Sequence, residues 1–262
     1  MLNDKRRKSL LKILAEKQRA SIEQLVNLLH ASPATVRRDI VWLAQRELLH
    51  RVRGGAEYLA KNRHHGLGGE TFQHSLAVFP AQKRAIARRA AEMCHDGETV
   101  IINGGTTTFM MVEFLAERNM KILTNSFLMA EQLVSRSQNE IIVPGGQIYR
   151  EQNVILSPFD SDVTQHHYAN RMFMGAAALS PMGLLERDPL LIQAEKRLIN
   201  QADELVVLAD SSKFANKRAG LILCPLERVS CVITDEAVPA AAVQMLEAAG
   251  VKVIAVAPEL VQ

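Results

Sequence analysis

The sequence predicts an α/β protein in two parts, a small helical head and a larger body built on a mainly parallel sheet. Three observations lead there. Charge is unevenly spread: residues 1–65 carry 14 Lys+Arg against 6 Asp+Glu, or +8, and the remainder carries 17 against 22, or −5. Apolar residues at helical spacing fill the first 45 residues, and a short alternating stretch follows them. From about residue 81, short apolar runs alternate with helical stretches, the pattern of a parallel sheet covered on both faces.

Composition sets the class. The chain has 262 residues, 48% of them hydrophobic and 23% charged, which suits a well-packed protein. No apolar run reaches the ~18 residues of a membrane helix. The start, Met1-Leu2-Asn3-Asp4-Lys5-Arg6-Arg7-Lys8, lacks the apolar region of a signal peptide. Cys94, Cys224 and Cys231 are far apart, odd in number and set in apolar stretches, as reduced core thiols of a cytoplasmic protein would be.

Residues 1–58 read as three helices and a hairpin. The first helix runs from about Asp4 to Lys17, with Leu10, Leu11, Ile13 and Leu14 on its apolar side. Ser21 caps the second, with Glu23 and Gln24 in its first turn and Ile22, Leu25, Val26, Leu28 and Leu29 as its stripe. Ser32 and Pro33 open the third as N-cap and first helical residue. Val36, Ile40 and Leu43 must face the core. The opposite face carries Ala34, Arg38 and Gln45, flanked by Thr35, Arg37 and Trp42. Leu48 to Arg53 alternates and ends at the tight turn Gly54-Gly55.

A basic, small-residue helix face followed by an arginine-bearing hairpin is the outline of a winged helix-turn-helix that binds double-stranded DNA. Thr35 suits a base edge or a thymine methyl, and an arginine suits guanine through two hydrogen bonds. The candidate DNA-binding residues are Ser32, Ala34, Thr35, Arg37, Arg38, Trp42, Arg51 and Arg53. Arg51 and Arg53 suit phosphates or the minor groove, whereas Arg37 and Arg38 suit bases or phosphates equally.

Residues 59–80 have no sustained period and contain Asn62, Gly66, Gly68 and Gly69, so they read as a linker. His64-His65 has no partner at ligand spacing and no metal site is expected. The body, 81–262, reads as a helix at 82–94, a strand at 99–103, a helix at 107–118, a strand at 121–124, a helix at 127–135 and a strand at 140–143. Further strands fall at 171–175, 204–209, 231–234 and 251–256, with helices at 190–201 and 239–249.

Polar loops follow these strands directly. They hold Asn103, Gly104, Gly105, Thr106 and Thr107; Thr124, Asn125 and Ser126; Gly145 and Gly146; and Lys213. Ligands of open parallel sheets sit beyond the carboxyl ends of the strands. A glycine-threonine turn at a helix start and a lysine suit a phosphate or another anion. Arg150, just past the glycine pair, is a further candidate for the anion.

The motif Pro33-Ala34-Thr35-Val36-Arg37-Arg38-Asp39-Ile40, with Leu43 and then Arg51, Gly54, Gly55 and Ala56, resembles the signature of the DeoR family of bacterial transcriptional regulators. In the body, 82–87, 103–107, 123–126, 143–146 and 208–214 resemble the same family's sensor domain. The resemblance implies a body related to ribose-5-phosphate isomerase. It also implies a repressor of a carbohydrate-catabolism operon, controlled by a phosphorylated sugar or related metabolite without a further cofactor, and acting as a homo-oligomer, dimer or tetramer. Asn103 stands where many members have Asp, Ser157-Pro158 where Gly-Pro is usual, and Ser75 where Arg often follows the linker phenylalanine. Residues 155–158 and the pair Ala194-Glu195 look most like the ascorbate-utilisation repressor branch.

The competing reading is a sugar-phosphate isomerase-like enzyme with a DNA-binding appendage. Its proton shuttle would need a carboxylate in the cleft. Residues 175–183, Gly-Ala-Ala-Ala-Leu-Ser-Pro-Met-Gly, offer neither acid nor lysine, so no catalytic residue and no enzyme is expected. Glu186 and Asp188 come soon after and are read as structural or ligand-contacting.

Overall fold

A computed structural model describes residues 2–17, 19–44, 49–52, 54–58, 70–158, 163–215 and 220–258. The chain divides into two compact units, Met1–Gly66 and Leu67–Gln262.

The first unit runs α1 (Leu2–Lys17), β1 (Arg19–Ser21), α2 (Ile22–Leu29), α3 (Pro33–Ala44), β2 (Leu49–Val52) and β3 (Gly55–Tyr58). The Ser21 hydroxyl accepts from Gln24 N, and the Gln24 side chain accepts from Ser21 N, a complete capping box. Its core gathers Leu10, Leu14, Leu25, Val36, Ile40, Leu43 and Leu49, all at most 2% exposed. The three strands form an antiparallel sheet in the order β1-β3-β2, with β2 and β3 as the wing. Gly55 sits so close to β1 that a Cβ there would lie 2.2 Å from the Ala20 carbonyl oxygen, so no larger residue fits.

The second unit begins with α4 (Glu70–Ala77) and α5 (Pro80–Ala91). Then come β4 (Thr99–Ile102), α6 (Thr106–Phe109), α7 (Val112–Leu115), β5 (Lys121–Thr124), α8 (Phe127–Arg136) and β6 (Glu140–Ile142). A hairpin follows, β7 (Gln147–Tyr149) and β8 (Val154–Leu156). The rest is β9 (Ala169–Gly175), β10 (Ala178–Ser180), β11 (Gly183–Glu186), α9 (Pro189–Ile199), β12 (Ala202–Leu208), β13 (Leu221–Cys224), β14 (Cys231–Asp235), α10 (Ala240–Ala248) and β15 (Lys252–Val256).

Seven strands form one parallel sheet in the order β15-β14-β12-β9-β4-β5-β6. Successive residues of its strands serve opposite faces. Val100, Ile102, Phe173, Val206 and Leu208 pack under α5, α7 and α8, whereas Ile101, Met172, Met174, Leu205 and Val207 pack under α9 and α10.

Three differences from the sequence reading stand out. The end of the expected linker is helical: α4 buries Phe72, whose ring meets Phe109 edge-on at 5.8 Å. The helix expected over 107–118 is two short ones, joined through Met110 and Met111, which keep helical dihedral angles while their amides bond three residues back to Thr107 and Thr108. The antiparallel elements β7, β8, β10, β11 and β13 were not expected; they form two small sheets apart from the parallel one, set by pairing between segments and not by the strand-helix alternation. His64-His65, Gly66, Gly68 and Gly69 lie outside the described residues. Among the described residues no helix is long and apolar enough to cross a membrane.

Candidate nucleic-acid interface and effector cleft

On α3, the Val36, Ile40 and Leu43 side is buried, and Ala34, Arg37 and Arg38 are exposed. Arg37 and Arg51 line one concavity between α3 and the wing, together with Val41 and Gly54. Arg38 is exposed and does not line that concavity. Thr35 is half-buried, and the Ser32 hydroxyl accepts from its amide at 3.3 Å while its own oxygen lies 2.8 Å from Thr35 Oγ1. Ser32 is thus occupied as the helix cap. Arg53 lies outside the described residues.

Trp42 has a different place from the one expected. It packs half-buried against the core, and the Arg7 guanidinium stacks 3.8 Å from its ring. Beside it, Asp39 is 1% exposed. Arg6 Nε donates to its Oδ2 at 2.6 Å and Arg7 Nε to its Oδ1 at 2.9 Å. Burial alone would push this carboxyl up; the two arginines outweigh burial and hold it below the usual range. The sequence reading missed this cluster. Its signal was an acid one step from the apolar stripe, opposite two arginines on α1.

In the body, an open cleft of about 170 Å³ lies at the carboxyl ends of β4, β9 and β12. Asn103, Gly104, Gly105, Thr106, Thr107 and Lys213 line it, as expected. So do Ser75 from α4, Gln152 from the tip of the β7–β8 hairpin, Arg187 and Glu195, which the sequence reading did not assign there, and Glu186, which it read as structural or ligand-contacting.

The glycine-threonine loop is fixed from within. Gly104 N donates to Asn125 Oδ1 at 2.7 Å, so this amide is not free for an anion. A Cβ at Gly104 would lie 2.3 Å from Val154 Cγ1, which makes glycine obligatory. Thr108 Oγ1 donates to the Asn103 carbonyl at 2.8 Å and closes the turn. That leaves Thr106 and Thr107, at the start of α6, and the lining cations Lys213 and Arg187 as anion partners.

Lys213 sits in a 3-10 turn, Ser211–Phe214, whose cap is the buried Asp210; Ser212 N donates to Asp210 Oδ1 at 3.1 Å. Behind it lies a second lysine. Lys83 is 3% exposed, and its ammonium donates to the carbonyls of Ser75 and Val78. Burial lowers its pKa, with Asp210 opposing and Lys213 adding to the shift.

The other expected cleft residues are elsewhere. Thr124 is fully buried and its Oγ1 accepts from Ser126 N at 3.0 Å; the Ser126 hydroxyl caps α8 by accepting from Met129 N at 3.3 Å. Both are used up in holding the strand-to-helix turn. Asn125 supports the loop instead of lining the cleft, and joins a separate small hollow with Ser157 and Arg197. Gly145 and Gly146 are exposed at the foot of the hairpin, where Gly146 runs against the Leu156 carbonyl. Arg150 is exposed on the hairpin outside the cleft. These four loops all follow strands, but the hairpin diverts the third.

Two family models match the chain. The DeoR-like helix-turn-helix domain covers residues 6–62, and the DeoR C terminal sensor domain covers residues 79–236. Curated relatives include the HTH-type transcriptional regulator UlaR of Shigella sonnei, 32% identical over 98% of this chain and 100% of that protein. The regulator of the same name in Escherichia coli O1:K1 matches with the same figures, 32% over 98% and 100%. Among solved structures, ribose 5-phosphate isomerase A of Methanocaldococcus jannaschii is similar at 18% identity and a TM-score of 0.38, over 50% of this chain and 53% of that one. A wing and helix with this exposed arginine face, on a sensor body matched through most of its length, place the chain in the DeoR family of DNA-binding transcriptional regulators.

Proposed function

We propose that this regulator is a repressor whose body takes up a phosphorylated sugar or related metabolite in the β4–β9–β12 cleft. The observation that carries the reading is the convergence of Thr106, Thr107 and Lys213 on one open cleft at the strand ends. The phosphate sits against the amides and hydroxyls at the start of α6, with Lys213 as its counter-charge. The effector acts through its different affinity for DNA-competent and DNA-released states.

On DNA, Arg38 reads a base edge and Arg37 and Arg51 clasp phosphate from the two sides of their shared concavity, with Arg53 in support. The protein works as a cytoplasmic homo-oligomer, so that two heads meet a repeated operator. It is not an enzyme. A second reading, sugar-phosphate isomerisation, is favoured by one observation, the presence of Glu195 in the same cleft as Lys213. Turnover assays on the sugar phosphates used below decide between them.

The test is release of a DNA duplex, selected from a random library by the protein itself. Release is measured against D-ribose 5-phosphate, D-fructose 6-phosphate and phosphorylated ascorbate. A charge-assisted contact contributes roughly 1.5–3 kcal/mol, so Lys213→Ala should move the release midpoint about tenfold or more. Thr107→Val should move it in the same direction by less. Wild-type midpoints in both variants would place the anion elsewhere.

A further inference from the structure

The cleft contains a carboxyl group that the fold leaves half-satisfied. Glu195 lies on α9 in line with Leu191 and Leu198 and is 5% exposed. Its Oε1 accepts from Asn103 Nδ2 at 2.9 Å. Its Oε2 is buried and has no hydrogen-bond partner. The other buried acids among the described residues have hydrogen-bond partners. Asp39 holds two arginines, Asp210 caps a turn, and Asp235 accepts from Ser211 N at 2.7 Å and Ala237 N at 3.0 Å. An orphaned buried oxygen is costly unless something meets it.

The orientation of the pair is fixed. Gly175 N donates to Asn103 Oδ1 at 3.2 Å, which turns the Asn103 amide nitrogen toward Glu195. Oε1 is therefore the acceptor, and Oε2 is the oxygen left to carry a proton. We propose that Glu195 is a selectivity residue of the effector cleft, a neutral carboxylic acid whose Oε2–H donates to an acceptor oxygen of the sugar, away from its phosphate. This rests on the reading of the cleft as the effector site. It goes further by making the ligand a hydroxylated or carbonyl-bearing phosphate ester, since inorganic phosphate at Lys213 would leave Oε2 unmet.

The surroundings favour the neutral form. Burial pushes the Glu195 carboxyl up to about 8; Glu186 on β11 adds to the rise, the Asn103 hydrogen bond opposes it, and Asp188 adds again. Of the other elements against α9, β8 brings no titratable group and β13 brings the Cys224 thiol, itself raised by burial. The turn Val163–His166 brings His166, which is exposed. On β12, Asp203 accepts from Tyr168 and Glu204 pairs with Arg171, both at the far end of the strand. Lys196 and Arg197 of α9 are not part of the cleft lining, whose cations are Arg187 and Lys213.

Binding of the three sugar phosphates and of inorganic phosphate is measured by calorimetry at pH 7 and pH 9. For the best-bound sugar phosphate, wild-type affinity should fall about tenfold between these pH values, as a carboxyl titrating near 8 loses its proton. Glu195→Gln keeps a donor and an acceptor in place, so it should bind within about threefold of wild type at pH 7 and lose nothing at pH 9. Glu195→Ala should bind about tenfold more weakly at pH 7. Inorganic phosphate should not distinguish the three proteins.

A ligand-free readout accompanies this. A carboxyl whose folded pKa is raised contributes stability that is lost as pH rises through the folded value. Wild type should therefore lose melting temperature relative to Glu195→Gln from pH 5 to pH 9. The proposal is overturned if Glu195→Gln binds as poorly as Glu195→Ala, or if the melting difference between wild type and Glu195→Gln is flat with pH. Weakening by Lys213→Ala alone leaves the cleft reading standing and removes Glu195. Sugar-phosphate binding untouched by either residue, or no binding by wild type at all, removes both.

Discussion

At the scale of single residues, the arginines of the head divide into two groups that composition cannot separate. Arg6 and Arg7 are spent on Asp39, and Arg7 also on Trp42. Arg37, Arg38 and Arg51 are exposed, and Arg37 and Arg51 line one concavity. Arg38→Ala should cost roughly 1–3 kcal/mol in binding to the preferred sequence and relax preference at one base pair. Arg51→Ala should instead weaken binding to all sequences alike and reduce the salt slope by about one unit. Fluorescence anisotropy on preferred and scrambled duplexes, from low to moderate salt, separates them. An Arg51 variant that changed sequence preference at constant salt slope would reverse the two roles. The exposed face of α3 was legible because a helix has only one side left once Val36, Ile40 and Leu43 are buried. The same logic failed for Trp42, because half-burial of a large ring is set by its neighbours on another helix and not by its own spacing.

At the scale of elements, the sheet strands were readable because burial on both faces makes them apolar runs, and most long helices because each buries a periodic face. The strand over 121–124 coincides with expectation and the helix at 127 runs one residue further than expected. What escaped were pieces whose shape comes from tertiary partners. The helix α4 is set by Phe72 against Phe109 and by Lys83 holding the carbonyls of Ser75 and Val78. Glu195 was invisible as a site because an acid inside an apolar stripe reads as an interruption of helix burial. One joint between elements can be tested directly. Asp39 ties α3 to α1 through Arg6 and Arg7, with side chains 22% and 16% exposed. Asp39→Ala should cost the head about 2–3 kcal/mol, the scale of hydrogen bonds to a buried charge. The contribution also has a pH sign. Its folded pKa is lowered, so the stability is present above the ordinary carboxylate value and is lost as pH falls through the folded value. Denaturant melts of wild type and Asp39→Ala at pH 7 and pH 3 check both parts. A gap that failed to narrow on acidification would mean that Asp39 acts by packing alone.

At the scale of the whole molecule, charge and chemistry are sorted between the two units. The head holds +8 and the body −5, so the body has no electrostatic reason to compete with the head for DNA. The head's core is closed within residues 10–56, and the cleft is lined wholly from residue 75 onward. Effector binding should therefore stabilise the body first. A ligand that binds only the folded state at 100 times its dissociation constant adds about 2.7 kcal/mol. For a unit of this size that corresponds to a rise of about 5–10 °C in its melting temperature. Calorimetry of the full chain with saturating sugar phosphate should show that rise in the transition carrying most of the heat. A fragment of residues 1–66, melted under the same conditions, should not respond. Lys213→Ala should need a correspondingly higher ligand concentration for the same shift, because its effect is on affinity and not on the body's own stability. If the fragment's melt moved with sugar phosphate as the full chain's does, the ligand would be binding the DNA-facing arginines, and control by a separate sensor body would have to be abandoned.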